Sequence, residues 1–303
     1  MEDQRLKAFC LVVEMKSFTK AAEARFMTQS AISHLIRNLE DEFGVKLLNR
    51  KGKTIELTPV GRAFYKQAKF ILGQYKAMED KLYCVLNKVK GSILIGASPT
   101  ISTYLLPQVF YDFYRKYPEV HIHLSVSDTG EIINELSEGR IDIGIVEGRV
   151  NNSRIVSERI AEDEIVMIAS ENNPLTEKTG VTSEDLTSQT FILPESGSGT
   201  REIIDDYLTS LGINVQELRI FMTTGSPELI IQMVQSGSGV AFVSKWSAFK
   251  SIKDNMVKLL PANSPRLRRQ FRIAFLDQQT LPMTVKTFIA FVREYKFFIP
   301  FFR

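Results

Sequence analysis

A stripe of hydrogen-bonding side chains recurs at helical spacing near the start of the chain. After a leading glutamine, its members stand at positions i, i+3, i+4 and i+7: Gln29, Ser30, Ser33, His34 and Arg37. An α-helix places residues at this spacing on one face. Glutamine can pair bidentately with adenine, arginine with guanine or phosphate, and serine with several groups, so this face fits the major groove of DNA. A solvated helix face without a partner is the alternative interpretation.

Two helices joined by a tight turn are needed to hold the stripe in place. Ser17 is a good N-cap for the first helix and Thr28 for the second, which can end at Gly44. Opposite the stripe, four apolar residues at helical spacing are expected to face a core: Ile32, Ile36, Leu39 and Phe43. An earlier amphipathic helix has apolar residues at the same spacing: Leu6, Phe9, Cys10 and Val13. Its cysteine is therefore predicted to be a small core residue and not a reactive thiol.

Two short extended runs follow the second helix, at residues 45–50 and 54–58, around a basic turn that contains Gly52. This pattern predicts a β-hairpin. Its tip carries three cations that are expected to contact phosphates or the minor groove: Arg50, Lys51 and Lys53. Three helices and a basic hairpin are typical of a winged helix-turn-helix. We predict that it contacts DNA through Thr28, the helix stripe and the hairpin cations.

A heptad pattern runs along the long helix that Pro59 is expected to open. Its apolar positions alternate in steps of four and three: Phe64, Ala68, Ile71, Tyr75, Met78, Leu82, Val85 and Val89. Such a seam predicts a coiled coil of two chains. Pairing would place two reading helices on one face of a pseudo-palindromic DNA site. Packing of the helix on its own chain is the alternative.

Residues 1–90 resemble the DNA-binding domain and linker helix of the LysR-type transcriptional regulators. The segments that carry the resemblance are FTKAAEARFMTQSAISHLIRNLEDEFGVKLLNR and LTPVG. The family often has Arg and Gln after the serine of the reading helix, where this chain has His34 and Leu35. The resemblance implies a homodimer that assembles into a tetramer and bends double-stranded DNA. It also implies a small-molecule effector that modulates DNA binding.

The distribution of charge indicates a polyanionic partner for the first part of the chain alone. Residues 1–90 carry 17 Lys and Arg against 10 Asp and Glu, whereas the rest of the 303 residues carries 21 against 25. Two cysteines without metal-ligand spacing suit a reducing compartment. With no export signal and no apolar run long enough to span a bilayer, we expect a cytoplasmic protein without a membrane partner.

The remaining two hundred residues alternate between apolar extended runs and helical segments, which predicts a largely parallel sheet after a hinge at 89–92. The extended runs are 93–97, 120–126, 141–146, 164–169, 191–193, 240–243 and 272–275. Two α/β lobes resemble the periplasmic-binding-protein-like effector domain of the same family. The expected multidomain α+β chain has a DNA-binding domain, a dimerisation helix and an effector domain at 1–60, 61–89 and 90–303. Lobe one is expected at 92–163 and 267–303, and lobe two at 164–266.

Three hydroxyl-rich stretches stand where a strand gives way to a helix, at residues 98–102, 196–201 and 224–227. Hydroxyls and free backbone N–H groups at helix N-termini suit an anion, whereas capping alone also explains serine and threonine there. The candidate effector contacts are Ser98, Thr100, Ser102, Glu147, Ser196, Ser198, Thr200 and Ser226. Four of them match effector-contacting positions of the family: Ser98, Thr100, Ser198 and Thr200. If Glu147 faces the cleft, it would repel an anion or recognise an amine, but we expect it to be solvated at the cleft rim instead.

The hydroxyl-rich cleft favours an anionic effector. Resemblance to sulfur-metabolism and carbon-fixation members of the family narrows the expectation to an inorganic sulfur anion or a small carboxylate. The chain lacks the G-x-S-x-G and G-x-G-x-x-G motifs, and His121 and His123 have no cysteine to complete a metal site. We therefore expect no catalytic residue, no cofactor and no metal.

Three other functions are compatible with parts of the sequence. The two lobes alone would suit a solute-binding protein or an enzyme, and the first ninety residues alone would suit an effector-blind architectural protein.

The chain ends in an unusually apolar segment, 297–302. We expect it to pack on its own lobe, with an oligomer contact as the alternative.

Overall fold

A computed structural model of the chain describes residues 3–51, 54–85, 89–148, 150–261, 267–277 and 281–297. For a few residues inside elements only the backbone is described: 50, 51, 54, 76, 77, 79–81 and 83–85. The chain divides into two compact units, Met1–Lys88 and Val89–Arg303. No helix in the described ranges is long and apolar enough to cross a membrane.

The first unit consists of three short helices, a hairpin and one long helix. Its elements are α1 (Gln4–Met15), α2 (Phe18–Glu23), α3 (Gln29–Phe43), β1 (Leu48–Lys51), β2 (Thr54–Leu57) and α4 (Pro59–Val85). Ser17 caps α2 by accepting a hydrogen bond from the Lys20 N–H, and Thr28 caps α3 in the same way. Gly44 ends α3 at φ 64°, in the left-handed region that favours glycine. The predicted caps and helix ends are confirmed.

The core of the first unit is formed by the three short helices, the base of the hairpin and the start of α4. Its buried side chains include Phe9, Cys10, Val12, Phe18, Ile32, Ile36, Leu39, Leu47 and Ala68. Burial raises the pKa of Cys10 to about 12, which fits a core residue. The prediction for Phe43 was wrong, since it is 54% exposed. At the last residue of α3 its ring packs edge-on against Phe64, with ring centroids 5.4 Å apart, at the border of the core.

The heptad seam of α4 divides into two parts. Ala68 is buried in the core of its own unit and Phe64 packs on that core, so the alternative interpretation holds for these two residues. Further along, Ile71, Met78 and Leu82 are exposed in the single chain. Helix α4 ends at Val85, whose side chain lies outside the described residues. The last predicted seam position was wrong, because Val89 packs on a core of the second unit.

In the second unit, the described residues form one mixed sheet of nine strands in the order β4-β3-β5-β11-β6-β9-β7-β8, with β10 also on β6. The strands are β3 (Gly91–Ala97), β4 (Val120–Val126), β5 (Ile143–Glu147), β6 (Ile155–Ala169), β7 (Thr190–Pro194), β8 (Arg219–Thr224), β9 (Val240–Ser244), β10 (Lys258–Leu259) and β11 (Leu267–Leu276). The sheet is parallel at its two ends and antiparallel where β6 and β11 pair. The predicted hinge at 89–92 was partly wrong, since Gly91 and Ser92 belong to β3.

Helices cover the sheet and create two main cores. They are α5 (Leu106–Lys116), α6 (Thr129–Ser137), α7 (Ser183–Thr187), α8 (Gly199–Ser210), α9 (Pro227–Gln235), α10 (Lys245–Lys253) and α11 (Met283–Glu294), with a π-helix at Ile101–Leu105. One core surrounds Phe113 and Phe288, and the other surrounds Phe191 and Ile204. Strands β6 and β11 run through both regions. This arrangement is the predicted pair of lobes, joined by two continuous strands.

The described part of the C-terminal segment agrees with packing on its own lobe. Phe297 packs against the core of lobe one, and its ring centroid lies 5.1 Å from that of Tyr295. The rest of the predicted segment, 298–302, lies outside the described residues.

Candidate functional site

The polar stripe of α3 lies on the surface of the first unit. Gln29, His34 and Arg37 are exposed, as are Thr28 and Ser30 at the helix start, while Ser33 is half-buried. The Gln29 side-chain amide donates a hydrogen bond to Ser33 Oγ over 3.0 Å. The face is therefore made of solvated donors and acceptors, which is what reading of base edges requires.

A buried carboxylate, which sequence reasoning missed, ties α3 to the hairpin. Glu40 accepts hydrogen bonds from the backbone N–H groups of Leu47 (2.9 Å) and Leu48 (3.2 Å), and its other oxygen lies 2.7 Å from Lys46 Nζ. Burial would raise the pKa of Glu40, but these three donors outweigh it and hold the pKa below its ordinary value. A signal existed in the sequence: Glu40 continues the apolar stripe four residues after Ile36.

The base of the hairpin is also fixed to the start of α4. Thr58 Oγ1 donates to the Lys46 carbonyl over 2.8 Å and accepts from the Gly61 N–H over 2.8 Å. Gly61 lies so close to the Leu47 carbonyl that a Cβ at this position would collide with it. The strands β1 and β2 pair antiparallel as predicted. Lys53 and the side chains of Arg50 and Lys51 lie outside the described residues.

The second unit contains a small cavity of about 50 Å³ between its lobes. It is lined by Ser98, Pro99, Thr100, Asp128, Thr129, Glu147, Pro194, Glu195, Ser198, Gly199, Thr200, Thr224, Gly225, Pro227, Ile230, Phe242, Val243 and Ser244. The strands β3, β5 and β9 end here, and α8 and α9 begin here. Five predicted effector contacts meet in it: Ser98, Thr100, Glu147, Ser198 and Thr200.

Three predicted contacts do not line this cavity. Ser102 donates to the Pro99 carbonyl within its own turn, over 2.9 Å. Ser226 is exposed and caps α9 by accepting from the Leu229 N–H over 3.2 Å. Ser196 is exposed in the loop before α8. The turn role of Ser102 and the capping role of Ser226 explain these two serines without a ligand.

The prediction that Glu147 is solvated at the cleft rim was wrong, since it is only 5% exposed at the end of β5. Its Oε1 accepts a hydrogen bond from Ser98 Oγ over 2.9 Å, and its Oε2 accepts one from Thr200 Oγ1 over 3.0 Å. Arg269 Nη1 also donates to Oε2 and forms a buried ion pair with it. The carboxylate therefore gathers donors from both lobes.

Arg269 connects Glu147 to a second buried carboxylate. Arg269 Nε donates to Asp163 Oδ2 over 2.6 Å, and Ser244 Oγ donates to Asp163 Oδ1 over 2.9 Å. Arg269 and Asp163 stand directly opposite each other on β11 and β6. Burial raises the pKa of the Asp163 carboxyl, and the guanidinium and the Ser244 hydroxyl oppose this rise. One buried cation thus serves two buried carboxylates, and one of these carboxylates, Glu147, also lines the cavity.

Metal binding finds no support in the part of the chain that the structure describes. No group of three or more His, Cys, Asp or Glu residues there could hold a metal ion. His121 and His123 are exposed on the edge strand β4.

Comparisons with known proteins cover both units. Residues 4–62 match the family described as "Bacterial regulatory helix-turn-helix protein, lysR family", and residues 87–296 match "LysR substrate binding domain". The "HTH-type transcriptional regulator CysL" of Bacillus subtilis (strain 168) is 33% identical over 265 residues, which is 88% of each chain. The "Uncharacterized HTH-type transcriptional regulator YeiE" of Escherichia coli (strain K12) is 32% identical over 286 residues, or 94% of this chain and 95% of that one.

A solved structure with the same fold is that of full-length CbnR complexed with its target DNA. It covers 97% of this chain and 99% of its own, with a TM-score of 0.66 and 22% sequence identity. At this identity the similarity shows the fold, and it extends over both units.

Proposed function

This chain belongs to the LysR family of transcriptional regulators, and from that premise we propose that α3 and the hairpin read double-stranded DNA while the cavity between the lobes binds the effector. The observation that carries this proposal is the exposed polar face of α3, beside a hairpin that Glu40 anchors. The proposed DNA contacts are Thr28, Gln29, Ser30, Ser33, His34, Arg37, Arg50, Lys51 and Lys53. The proposed effector contacts are the five that line the cavity.

Regulation by ligand requires only a modest coupling between the two sites. A typical coupling free energy is about 1–3 kcal/mol, which changes affinity by about 5–150-fold. That is enough to shift binding or bending of DNA without creating binding from nothing. Because the matching family is one of bacterial regulators, we propose a cytoplasmic location, and we assign the protein no enzymatic activity.

We further propose that α4 pairs two chains. Ile71, Met78 and Leu82 lie on one seam and expose apolar surface in the single chain. A second copy of the same helix would cover them, and the paired heads would then meet a pseudo-palindromic site. By analogy with the family, two such dimers form a tetramer.

Leu82→Glu is expected to weaken dimerisation by about tenfold or more, because it places two unpaired charges across the apolar seam. Sedimentation equilibrium of the full chain over a concentration series measures the change. Phe70→Glu is the matched control, since Phe70 is a similarly exposed apolar residue that stands off the seam. Equal dimer affinity of the wild type and the Leu82 variant would exclude pairing through this seam.

The effector role of the cavity is tested by Thr100→Leu. Thr100 is buried and lines the cavity, so the larger apolar side chain fills space that a ligand needs. We expect any metabolite that stabilises the wild type to bind at least about tenfold more weakly, with affinity for DNA unchanged. Ligand-dependent melting shifts and fluorescence anisotropy, on DNA fragments selected by the wild type, measure the two effects.

Thr103→Leu is the control for this experiment, because it is the same substitution at an exposed position of the π-helix. It should keep the full ligand response. If the Thr100 variant loses DNA binding together with the ligand response, the assignment of the cavity as a separate effector site is wrong.

A further inference from the structure

The cavity already holds an anion that belongs to the chain itself. We propose that Glu147 acts as an internal anion, and that the effector is a small oxyanion which replaces its carboxylate on Ser98, Thr200 and Arg269. This inference rests on the proposed function, because it takes the cavity to be the effector site.

The hydrogen bonds of the two hydroxyls support this exchange. Ser98 and Thr200 each have a single hydroxyl proton, and both protons are donated to Glu147, over 2.9 and 3.0 Å. An anion that entered beside Glu147 would meet the lone pairs of these hydroxyls and not their protons. Binding an oxyanion at these donors therefore requires that Glu147 releases them.

The guanidinium provides the remaining part of an anion site. Arg269 Nη1 donates to both Glu147 and Thr200, while Arg269 Nη2 is buried and has no hydrogen-bond partner among the described residues. The side chain of Arg269 is 1% exposed, so its orientation is fixed by its surroundings. Arg269 does not itself line the cavity, so an oxyanion could reach Nη1 and the unpartnered Nη2 only in the place that the Glu147 carboxylate gives up.

The net charge of Glu147, Asp163 and Arg269 determines whether this group of side chains strengthens or weakens the binding of an anion. Glu147 and Asp163 carry two negative charges against the single positive charge of Arg269. Asp163 is held by Arg269 Nε and Ser244 and does not line the cavity, so it keeps its place when a ligand enters. Glu147 is the carboxylate that faces the incoming anion, and its charge weakens anion binding in the wild type.

Glu147→Gln tests the inference, because glutamine keeps the size of the side chain and removes its charge. Isothermal titration of the full-length chain with sulfate, phosphate, acetate and oxalate, at ionic strength held constant with sodium chloride, gives the affinities. We expect at least one of these oxyanions to bind the variant about tenfold or more tightly than the wild type. Glu202→Gln is the control of equal charge change, on an exposed position of α8 outside the cavity, and should stay within about threefold of the wild type.

Two results would overturn the inference. One is oxyanion binding that is equal or weaker in the Glu147 variant, and the other is the absence of oxyanion binding in both proteins. Glycine and putrescine, titrated in parallel, separate this failure from a failure of the proposed function. If an amine binds the wild type and is lost in the Glu147 variant, the cavity remains the effector site and Glu147 is a direct contact for a cation.

Discussion

Replacing Arg269 with methionine is expected to lower the free energy of unfolding by about 3–5 kcal/mol. Arg269 is the cation between Glu147 and Asp163, and removing one partner of a buried ion pair leaves uncompensated charge in the interior. Chemical denaturation of the full chain, followed by circular dichroism, measures the loss. Arg268→Met is the matched control, because Arg268 is the exposed neighbour of Arg269 on β11. The stability of this control variant should stay within about 0.5 kcal/mol of the wild type.

The stability loss of the Arg269 variant should also depend on pH in a defined direction. Burial raises the pKa of Asp163 in the wild type, and without the guanidinium that pKa rises further. A carboxyl whose pKa is higher in the folded state contributes stability below its unfolded value of about 4, and loses it as pH rises through the folded value. The difference between variant and wild type should therefore be smallest at or below about pH 4 and should grow as pH rises above it. A difference that does not vary with pH would show that the carboxyls are not the origin of the loss.

The double variant Gln29→Ala/Arg37→Ala should lose about 2–6 kcal/mol of binding free energy on DNA selected by the wild type, at least about thirtyfold in affinity. Each side chain can form one bidentate contact with a base, and both are exposed on the same face of α3. Fluorescence anisotropy on labelled duplexes, at two salt concentrations, measures the loss and separates base reading from phosphate contacts.

A double variant of the same residue types serves as the control for this experiment. Gln216→Ala/Arg219→Ala changes the net charge equally, on exposed positions of the second unit. Its affinity for DNA should equal that of the wild type. Unchanged occupancy in the Gln29/Arg37 variant would contradict the assignment of α3 as the reading helix.

Predictions from sequence succeeded where local chemistry decides the structure. The caps Ser17 and Thr28 and the helix end at Gly44 depend on residues within one turn, so their types are sufficient evidence. The exposed stripe follows from the same periodicity. Phe43 has the correct spacing for the core, but the core ends before it, and spacing alone does not report that border.

The errors in the cavity come from contacts between residues far apart in the chain. The burial of Glu147 could not be predicted from its local sequence, because its counter-ion Arg269 stands 122 positions later. Arg269 lies on a strand whose pairing no local pattern reveals. The first half of β6 was missed for a similar reason. Its segment 157–163 is rich in charged residues and does not resemble a buried strand, but β11 pairs with it.

The continuous strands β6 and β11 have a consequence for how the lobes can move. Leu267–Leu276 pairs along its length with the segment from Ile155 to Ile165, with one register shift between Phe271 and Arg272, so any movement of one lobe against the other must twist a paired ribbon and cannot bend a loose tether. Asp163 and Arg269 face each other on that ribbon, between Ala161 in the first core and Ile165 in the second. A ligand that shifts the ribbon at this point needs only a small local displacement. A twist of the ribbon by a given angle moves the far ends of both lobes further than it moves the residues on the ribbon itself.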